Sequence, residues 1–221
     1  MEYFKNSLAI KEQFLEATKT TLYMVAVTAL IAGIIGLAIG VLLVVTQEDG
    51  ILENRRVYSV LDKLVNVARS IPFVIIIALL ASVTRIISGT TIGPQAAIVP
   101  LVAGTVPFYA RQIENALIDV DKGVIEAARA MGNSPIEIII RVYLREGLAG
   151  IIRVSQLTLI SLIGLTAMAG AIGAGGLGDL AISQGYNRFQ NDVTVVATLI
   201  ILLIVFIIQW SGNFIIKKIK H

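Results

Sequence analysis

The stretch LYMVAVTALIAGIIGLAIGVLLVV, residues 22–45, carries no charged side chain and decides the class of this fold. A helix over these residues is about 36 Å long, which exceeds the ~30 Å hydrocarbon core of a bilayer. The whole chain agrees, because 56% of its 221 residues are hydrophobic and only 15% are charged. In soluble domains, about a quarter of the residues are charged. The sequence therefore predicts an all-α integral membrane protein.

Four more apolar windows follow, and together with the first they predict five transmembrane helices in one domain over residues 1–221. The windows are residues 61–84, 96–110, 154–172 and 193–216. The window at 61–84 is the least regular, because only residues 70–84 are free of charge and the flanking arginines must extend to the membrane surface. The sequence SGTTIGPQ, residues 88–95, indicates a turn, so the third span is expected to begin near Ala96.

The distribution of lysine and arginine predicts the orientation in the membrane, since these residues accumulate on the cytoplasmic side. With the carboxyl terminus inside, 13 of the 18 basic residues are cytoplasmic and only five are external. The five external ones are Lys5, Lys11, Lys19, Arg85 and Arg188. We therefore expect the amino terminus on the external side of the cell membrane and the polar segment 111–153 in the cytoplasm.

Several classes of function are disfavoured by composition. The chain has no cysteine, which excludes disulfides, zinc–thiolate sites and cysteine nucleophiles. It contains no G-x-x-x-x-G-K-[ST] motif for nucleotide phosphates, and its single histidine is the last residue, His221. A pair of aspartates within the spans could catalyse hydrolysis, but Asp179 and Asp192 are expected in an external loop. We expect no catalytic, cofactor or metal site, and the net charge of +3 requires no nucleic-acid partner.

One polar, alanine-rich stretch, EAARAMGNSP at residues 126–135, interrupts this apolar chain. Its helix formers predict a helix over Lys122–Met131 that ends at Gly132 in a left-handed cap. Ser134 and Glu137 then form an S-x-x-E capping box around Pro135, which starts a second helix. A solvated connector between spans explains this pattern, but a short helix is marginal in water unless it packs against something.

The longer stretch EAARAMGNSPIEIIIRVYLREGLAGII, residues 126–152, resembles the cytoplasmic EAA loop of type I ATP-binding cassette importer permeases. The positions that match the loop pattern are Glu126, Ala127, Ala128 and Gly132. The chain departs from the family where the loop commonly ends in Leu-Pro, since it has Leu144 and Arg145, and a later family proline is Ala149. The departure affects the corner below the fourth span and leaves the E-A-A to G core intact.

Further stretches are similar to one branch of these permeases, the methionine importers. They are RSIPF at 69–73, TRIISGTTIGPQAAIVPL at 84–101, RQIENAL at 111–117 and AMAGAIGAGGLGDLA at 167–181. Permeases for other amino acids or small peptides share the same small helical core, so the substrate stays open between these classes.

The resemblance implies a coupling helix that docks on a separate cytoplasmic ATPase. The residues expected to couple to it are Glu126, Ala127, Ala128, Met131 and Gly132. It also implies two copies of the chain, an extracytoplasmic substrate-binding lipoprotein, and a gate at Met168 in TAMAG. An ion-driven carrier and a purely structural membrane subunit are the alternatives. Small-residue packing is the alternative explanation for the six glycines of residues 164–178.

Overall fold

The structure, a computed structural model, describes residues 5–219, and its regular secondary structure in that range is helical, with no strand. Twelve α-helices occur between Lys5 and Ile219, with three π-helical segments between some of them. The α-helices are α1 Lys5–Ala9, α2 Lys11–Thr46, α3 Arg55–Ser70, α4 Phe73–Leu79, α5 Ala81–Ser88, α6 Pro94–Ile118, α7 Lys122–Ala130, α8 Pro135–Ile138, α9 Leu144–Glu146, α10 Leu148–Ala169, α11 Gly176–Asp179 and α12 Asn191–Ile219. The π-helical segments are Ile139–Tyr143, Gly170–Ala174 and Leu180–Tyr186, of which Gly170–Ala174 contains a kink, because the backbone angles of Ile172 and Gly173 are not helical.

Among the described residues, four helices are long and apolar enough to cross a bilayer, rather than the five predicted. They are α2, α6, α10 with its continuation to Ala174, and α12. Each of the four contains one of the predicted windows. The all-α membrane class is thus confirmed, and the prediction of five continuous spans is wrong.

The predicted second span, residues 61–84, is divided among α3, α4 and α5. Pro72 precedes α4 with φ −56° and ψ 137°, and a residue before proline is itself pushed out of the helical region. A second bend lies at Leu80, whose φ of −90° and ψ of 3° separate α4 from α5. The proline therefore breaks what hydropathy alone reads as one helix.

The other spans extend beyond the predicted windows. α2 begins at Lys11 instead of Leu22, so the amino-terminal polar segment continues directly into the first span. α6 begins at Pro94 and continues eight residues past the expected end at Ala110. No proline or glycine follows Pro107 within α6, and the charged side chains beyond Ala110 find partners inside the protein.

The described chain forms two compact units. One consists of the described part of residues 1–31 with Ile71–Gly104 and Leu159–Trp210, and its core includes Met24 and Leu101. The other consists of residues 32–70, 105–158 and 211–219, and it holds Ile113 and Leu117 in its core. The helix ends around the polar segment 119–147 belong to this second unit.

Within the second unit, α2 packs closely on α6 through two glycines one turn apart. A Cβ at Gly36 would lie 2.8 Å from Cδ1 of Tyr109, and a Cβ at Gly40 would lie 2.6 Å from Cβ of Ile113. The same Gly40 Cβ would be 2.7 Å from the backbone oxygen of Ala110. Small residues that let two helix backbones approach are the usual device for packing in membranes.

We expect Gly40→Ala to destabilise the protein and Gly33→Ala, on the same helix, to leave it unchanged or slightly more stable. The added methyl group at position 40 meets side-chain and backbone atoms, and overpacking typically costs about 1–3 kcal/mol. At position 33 nothing lies within 4 Å, so only the better helix propensity of alanine remains. Thermal unfolding of both variants in the same detergent measures the difference. Equal Tm values for the two variants would contradict the close packing of α2 on α6.

Candidate functional site

The polar connecting segment begins with α7, whose start is fixed by a side chain. Asp121 is the N-cap, and its Oδ1 accepts a hydrogen bond from the backbone N–H of Gly123 at 2.7 Å. This cap satisfies one of the free donors at the beginning of a helix. α7 covers Lys122–Ala130, one residue shorter than the helix predicted from the sequence.

A glycine corner ends α7, as its sequence predicts. Gly132 has a φ of 80°, in the left-handed region, and its N–H donates to the carbonyl oxygen of Arg129 at 3.0 Å. The N–H and the Nδ2 of Asn133 both donate to the carbonyl oxygen of Ala128, at 3.3 and 3.0 Å. Glycine adopts this conformation without a steric penalty, so the chain turns here at low cost.

The predicted capping box is complete at the start of α8. The N–H of Ser134 donates to Oε2 of Glu137 at 2.9 Å, and the N–H of Glu137 donates to the hydroxyl of Ser134 at 3.4 Å. These bonds, the backbone one first, stabilise the ionised carboxylate and hold the pKa of Glu137 below its usual value. The helix–corner–helix arrangement is therefore fixed by bonds within the segment.

The five residues expected to couple do not share one surface. Ala128 is only 3% exposed and packs in a core cluster with Leu117 and Val120. Glu126, Ala127 and Gly132 are exposed, and Met131 is 75% exposed. Four of the five are thus available at the surface, while the fifth holds α7 on the core beneath it.

Apart from Met131, the sequence reasoning missed the exposed apolar side chains around these residues. Large apolar side chains on both sides of the glycine corner are exposed, and we call this set the corner surface. It consists of Val124, Met131, Ile136 and Ile140. Exposed apolar patches on a polar segment indicate a protein interface. The three consecutive isoleucines at 138–140 were the sequence signal for this surface, because three neighbours on a helix cannot all face the core. Ile138 is buried and Ile140 is exposed.

Beside α7 lies an open cleft with a volume of about 750 Å³. Its opposite wall is the loop that follows α2, and one hydrogen bond joins the two walls, from Nη2 of Arg129 to the carbonyl oxygen of Ile51 at 3.4 Å. The lining is rich in carboxylates, with Glu48, Asp49, Glu53 and Glu126. The first loop is therefore part of the same surface region as α7.

The glycine-rich stretch after α10 belongs to the other unit and serves close packing. A Cβ at Gly178 would lie 2.3 Å from Cα of Ala167, and a Cβ at Gly170 would lie 2.6 Å from the backbone nitrogen of Asp179. The N–H of Leu177 donates to the hydroxyl of Thr21 at 2.9 Å. Glycine at these positions lets α11 fold back against the end of α10.

Met168 lies on the outward side of that packed turn. Its side chain is 42% exposed, whereas the next residue, Ala169, is 1% exposed and contributes to the core of its unit. Ala169 also lines a cavity of about 260 Å³ together with Ile172 and residues of α4, α5 and α6. Within this unit Met168 therefore has a free apolar face.

A cluster of ionised side chains was not anticipated. Arg111 of α6 contacts Asp62 of α3 and forms an ion pair with Glu114 at 2.5 Å, and Tyr58 donates to Glu114 at 3.3 Å. Burial raises the pKa of Tyr58, and the carboxylates of Glu114 and Asp62 raise it further, so its hydroxyl is protonated at neutral pH. The sequence signal for this cluster was the spacing of Tyr58 and Asp62, which are four residues apart and so lie on one face of α3.

Comparison with known proteins gives consistent matches over most of the chain. The family described as "Binding-protein-dependent transport system inner membrane component" matches residues 35–221. A probable D-methionine transport system permease protein, MetI, of Vibrio cholerae is 43% identical over 94% of this chain and 92% of its own length. MetI of Escherichia coli K12 is 46% identical over 63% of this chain and 64% of its own length.

Solved structures show the same likeness. An inward-facing structure of the MetNI methionine ABC transporter matches with a TM-score of 0.93 at 40% identity, covering 96% of this chain and 98% of that chain. An amino acid ABC transporter crystallised with histidines matches with a TM-score of 0.79 at 18% identity, over 97% of this chain and 98% of that chain, which shows the shared fold alone. The resemblance to ATP-binding cassette importer permeases is therefore confirmed, and the chain belongs to the family of binding-protein-dependent transport system inner membrane components.

Proposed function

We propose that this chain is the permease subunit of an ATP-driven importer for methionine. The observation that carries the proposal is the combination of an exposed, locally capped helix–corner–helix with a chain that has no nucleotide-binding motif. A transporter of this kind must take its energy from another subunit. The similarity to D-methionine permeases over nearly the whole chain supports methionine as the substrate.

We propose that the energy comes from a cytoplasmic ATPase that binds the corner surface and α7. Glu126 supplies a charge for a basic partner residue, Ala127 permits close approach, and Met131 offers a flexible apolar side chain. Gly132 turns the chain out of the contact. Ala128 acts differently, because its burial fixes α7 to the core and lets force on α7 reach the rest of the unit.

We propose five crossings of the inner membrane, with α4 and α5 together supplying the one that no single long helix provides. Residues 70–84 are free of charge, and Phe73–Ser88 spans about 24 Å if both helices align. An odd number of crossings places the termini on opposite sides. The excess of lysine and arginine then puts the amino terminus outside and α7 in the cytoplasm.

The transport path is proposed to lie between two copies of the chain, since few helices are available to enclose an amino acid. Met168 is exposed on an apolar face of its unit, which fits contact with the same residue of a second copy. Two thioether side chains close a narrow path by packing and by excluding water. Alternating access, driven by closure of the ATPase subunits, would separate them.

An extracytoplasmic binding protein is the proposed source of substrate. In the five-crossing arrangement the loop between α11 and α12 faces the side opposite to α7. Tyr186 and Phe189 are exposed there, and Phe189 has a φ of 57°, a backbone conformation that non-glycine residues rarely adopt. This loop is held in shape by hydrogen bonds such as that from the N–H of Gln190 to the carbonyl oxygen of Gly185 at 2.8 Å.

Uptake of labelled methionine tests the substrate and the direction together. Cells lacking the gene are compared with and without the restored chain, with unlabelled amino acids and dipeptides as competitors. We expect restored uptake that only methionine-like compounds reduce. Competition by other amino acids or by peptides would assign the permease to another substrate, and uptake that persists without ATP would favour an ion-driven carrier.

Substitutions on the exposed side of the corner should weaken both binding of the ATPase and transport. We expect Met131→Asp and Gly132→Val to reduce methionine uptake at least tenfold while the protein stays in the membrane. The first places a charge in an apolar contact, and the second forces valine into a left-handed conformation. Arg145→Gln, an exposed change in α9, is the control. Normal uptake and normal copurification of the ATPase in both variants would remove the docking assignment.

A smaller side chain at the proposed gate should let methionine pass without ATP. We expect Met168→Ala to raise passive entry of methionine into vesicles or to raise ATP hydrolysis without substrate, each several-fold. Met168→Leu keeps the apolar volume and should preserve closure. The measurement is flux into vesicles containing the purified complex, with and without ATP. If both variants match the unmodified protein in both rates, Met168 does not close the path.

A further inference from the structure

The connection between α11 and α12 carries a phenylalanine in a conformation that glycine normally adopts. We call residues 186–190 the aromatic loop. The N–H of Gln190 donates to the carbonyl oxygen of Gly185 at 2.8 Å, and the N–H of Phe189 donates to that of Tyr186 at 3.2 Å. These two bonds form a Schellman motif, whose left-handed position is most often glycine. Phe189 occupies that position with a φ of 57°.

Nothing within the described chain explains why this position holds a phenylalanine. The side chain of Phe189 is 90% exposed, so its ring buries little surface against the protein. Glycine would form the same turn without steric strain. Residues held in strained backbone conformations concentrate at sites that bind a ligand or a partner. The ring is thus presented to something outside the described chain.

The base of the aromatic loop is fixed by contacts between the elements on either side of it. The hydroxyl of Thr194 in α12 donates to the carbonyl oxygen of Ala181 at 2.9 Å. A Cβ at Gly185 would lie 2.9 Å from the backbone nitrogen of Thr194, so the two elements touch. A loop that is already ordered loses little conformational entropy when it binds, and this favours affinity.

The amino-terminal helices brace the same base. The carboxylate of Asp192 is 4% exposed and accepts hydrogen bonds from the N–H of Ser7 at 2.8 Å and from Nδ2 of Asn6 at 3.1 Å. Phe14 of α2 and Val193 of α12 belong to one core cluster. α1, the start of α2 and the aromatic loop are therefore held together within the first unit.

The composition of the aromatic loop favours a protein partner over lipid. Its sequence, YNRFQ, places Asn187, Arg188 and Gln190 around the two aromatic side chains, and Tyr186 is 73% exposed. A helix or loop that lies on a membrane presents a broad apolar face. Protein interfaces instead concentrate binding in a few aromatic and arginine side chains inside a polar rim. The aromatic loop fits the second description.

We propose that Phe189 anchors the extracytoplasmic binding protein to the aromatic loop, and that this protein offers the ring an apolar recess edged by carboxylates. The carboxylates would face Arg188, which is exposed beside the ring. The inference rests on the proposed function, in which this loop is external and a binding protein delivers the substrate. It goes beyond that function by naming the anchor residue and the chemistry of the partner's surface.

Phe189→Gly tests the anchor, because it removes the ring and relieves the backbone strain in one change. The complete complex in lipid nanodiscs is titrated with its methionine-loaded binding protein. We expect the Kd to rise about tenfold or more, as for an interface hot spot, while Tm stays equal or rises. An unchanged Kd would overturn the proposal. Weaker binding with a lower Tm would also overturn it, because that pattern indicates a structural role.

Two further variants separate the ring from the backbone. Phe189→Leu keeps an apolar side chain in the recess and should lose less affinity than Phe189→Gly. Asp49 is the other left-handed non-glycine residue in the described chain, with a φ of 64°. Asp49→Gly is therefore the matched control and should leave the Kd for the binding protein unchanged. Equal losses of affinity in Phe189→Leu and Phe189→Gly would contradict an apolar recess that tolerates other side chains.

Arg188→Gln tests the acidic edge of the recess. Loss of this charge should lower the association rate of the binding protein about threefold at low salt, with a smaller change in its dissociation rate. Asn187→Gln, a neutral change at the neighbouring exposed position, is the control. An association rate that stays the same at low salt would contradict the carboxylates at the edge.

Labelling of a cysteine distinguishes the possible occupants of the loop. The chain has no cysteine, so Asn187→Cys introduces its only thiol. We expect an impermeant maleimide to label it from the external side and the loaded binding protein to slow labelling several-fold. Failure to label, as for a loop covered by lipid or by a second copy, would overturn the proposal. Labelling that the binding protein does not slow would also overturn it. A wild-type complex whose methionine uptake needs no binding protein would instead reject the proposed function.

Discussion

The structure depends on one constraint, that backbone polar groups in a hydrocarbon layer must find their partners within the protein. Helices meet this constraint inside the layer, and in the polar segment outside it the ends of α7 and α8 are closed by the chain's own bonds. Asp121 caps α7, the bond from Gly132 to Arg129 closes its end, and Ser134 caps α8. These three ends are closed by bonds within the connecting segment, which gives that segment a defined shape.

Features that depend on local sequence could be predicted, and features that depend on distant contacts could not. The glycine corner and the capping box follow from residues within one turn of each other, and both are present as expected. The end of α6 depends instead on Arg111 finding Asp62, which is 49 residues away in the chain. A prediction from hydropathy ends the span before the charged residues 111 and 114. Hydropathy values take no account of a partner that neutralises those charges.

The same distinction explains the candidate sites. The motif placed Glu126 through Gly132 on a helix and a corner, but it could not tell that Ala128 faces inward, since that depends on Leu117 of α6. The glycines after α10 were open to two explanations. A Cβ added at Gly178 would lie too close to Ala167, so packing within the unit explains that glycine. Packing does not explain Met168, because its side chain is exposed.

A polar segment between two long helices needs a defined shape if it is to bind a partner. Local capping gives α7 and α8 that shape, because the bonds that close their ends join residues within the segment. Contact with the core then attaches the segment to the long helices, since Ala128 of α7 packs with Leu117 of α6. The buried charges near the end of α6 hold the same helix on α3, because Arg111 and Tyr58 both bridge the two helices and leave neither Glu114 nor Asp62 unpaired. A buried ion pair adds only weakly to stability, whereas removal of one partner leaves an uncompensated charge, so these contacts fix the position of α6 more than they stabilise the fold.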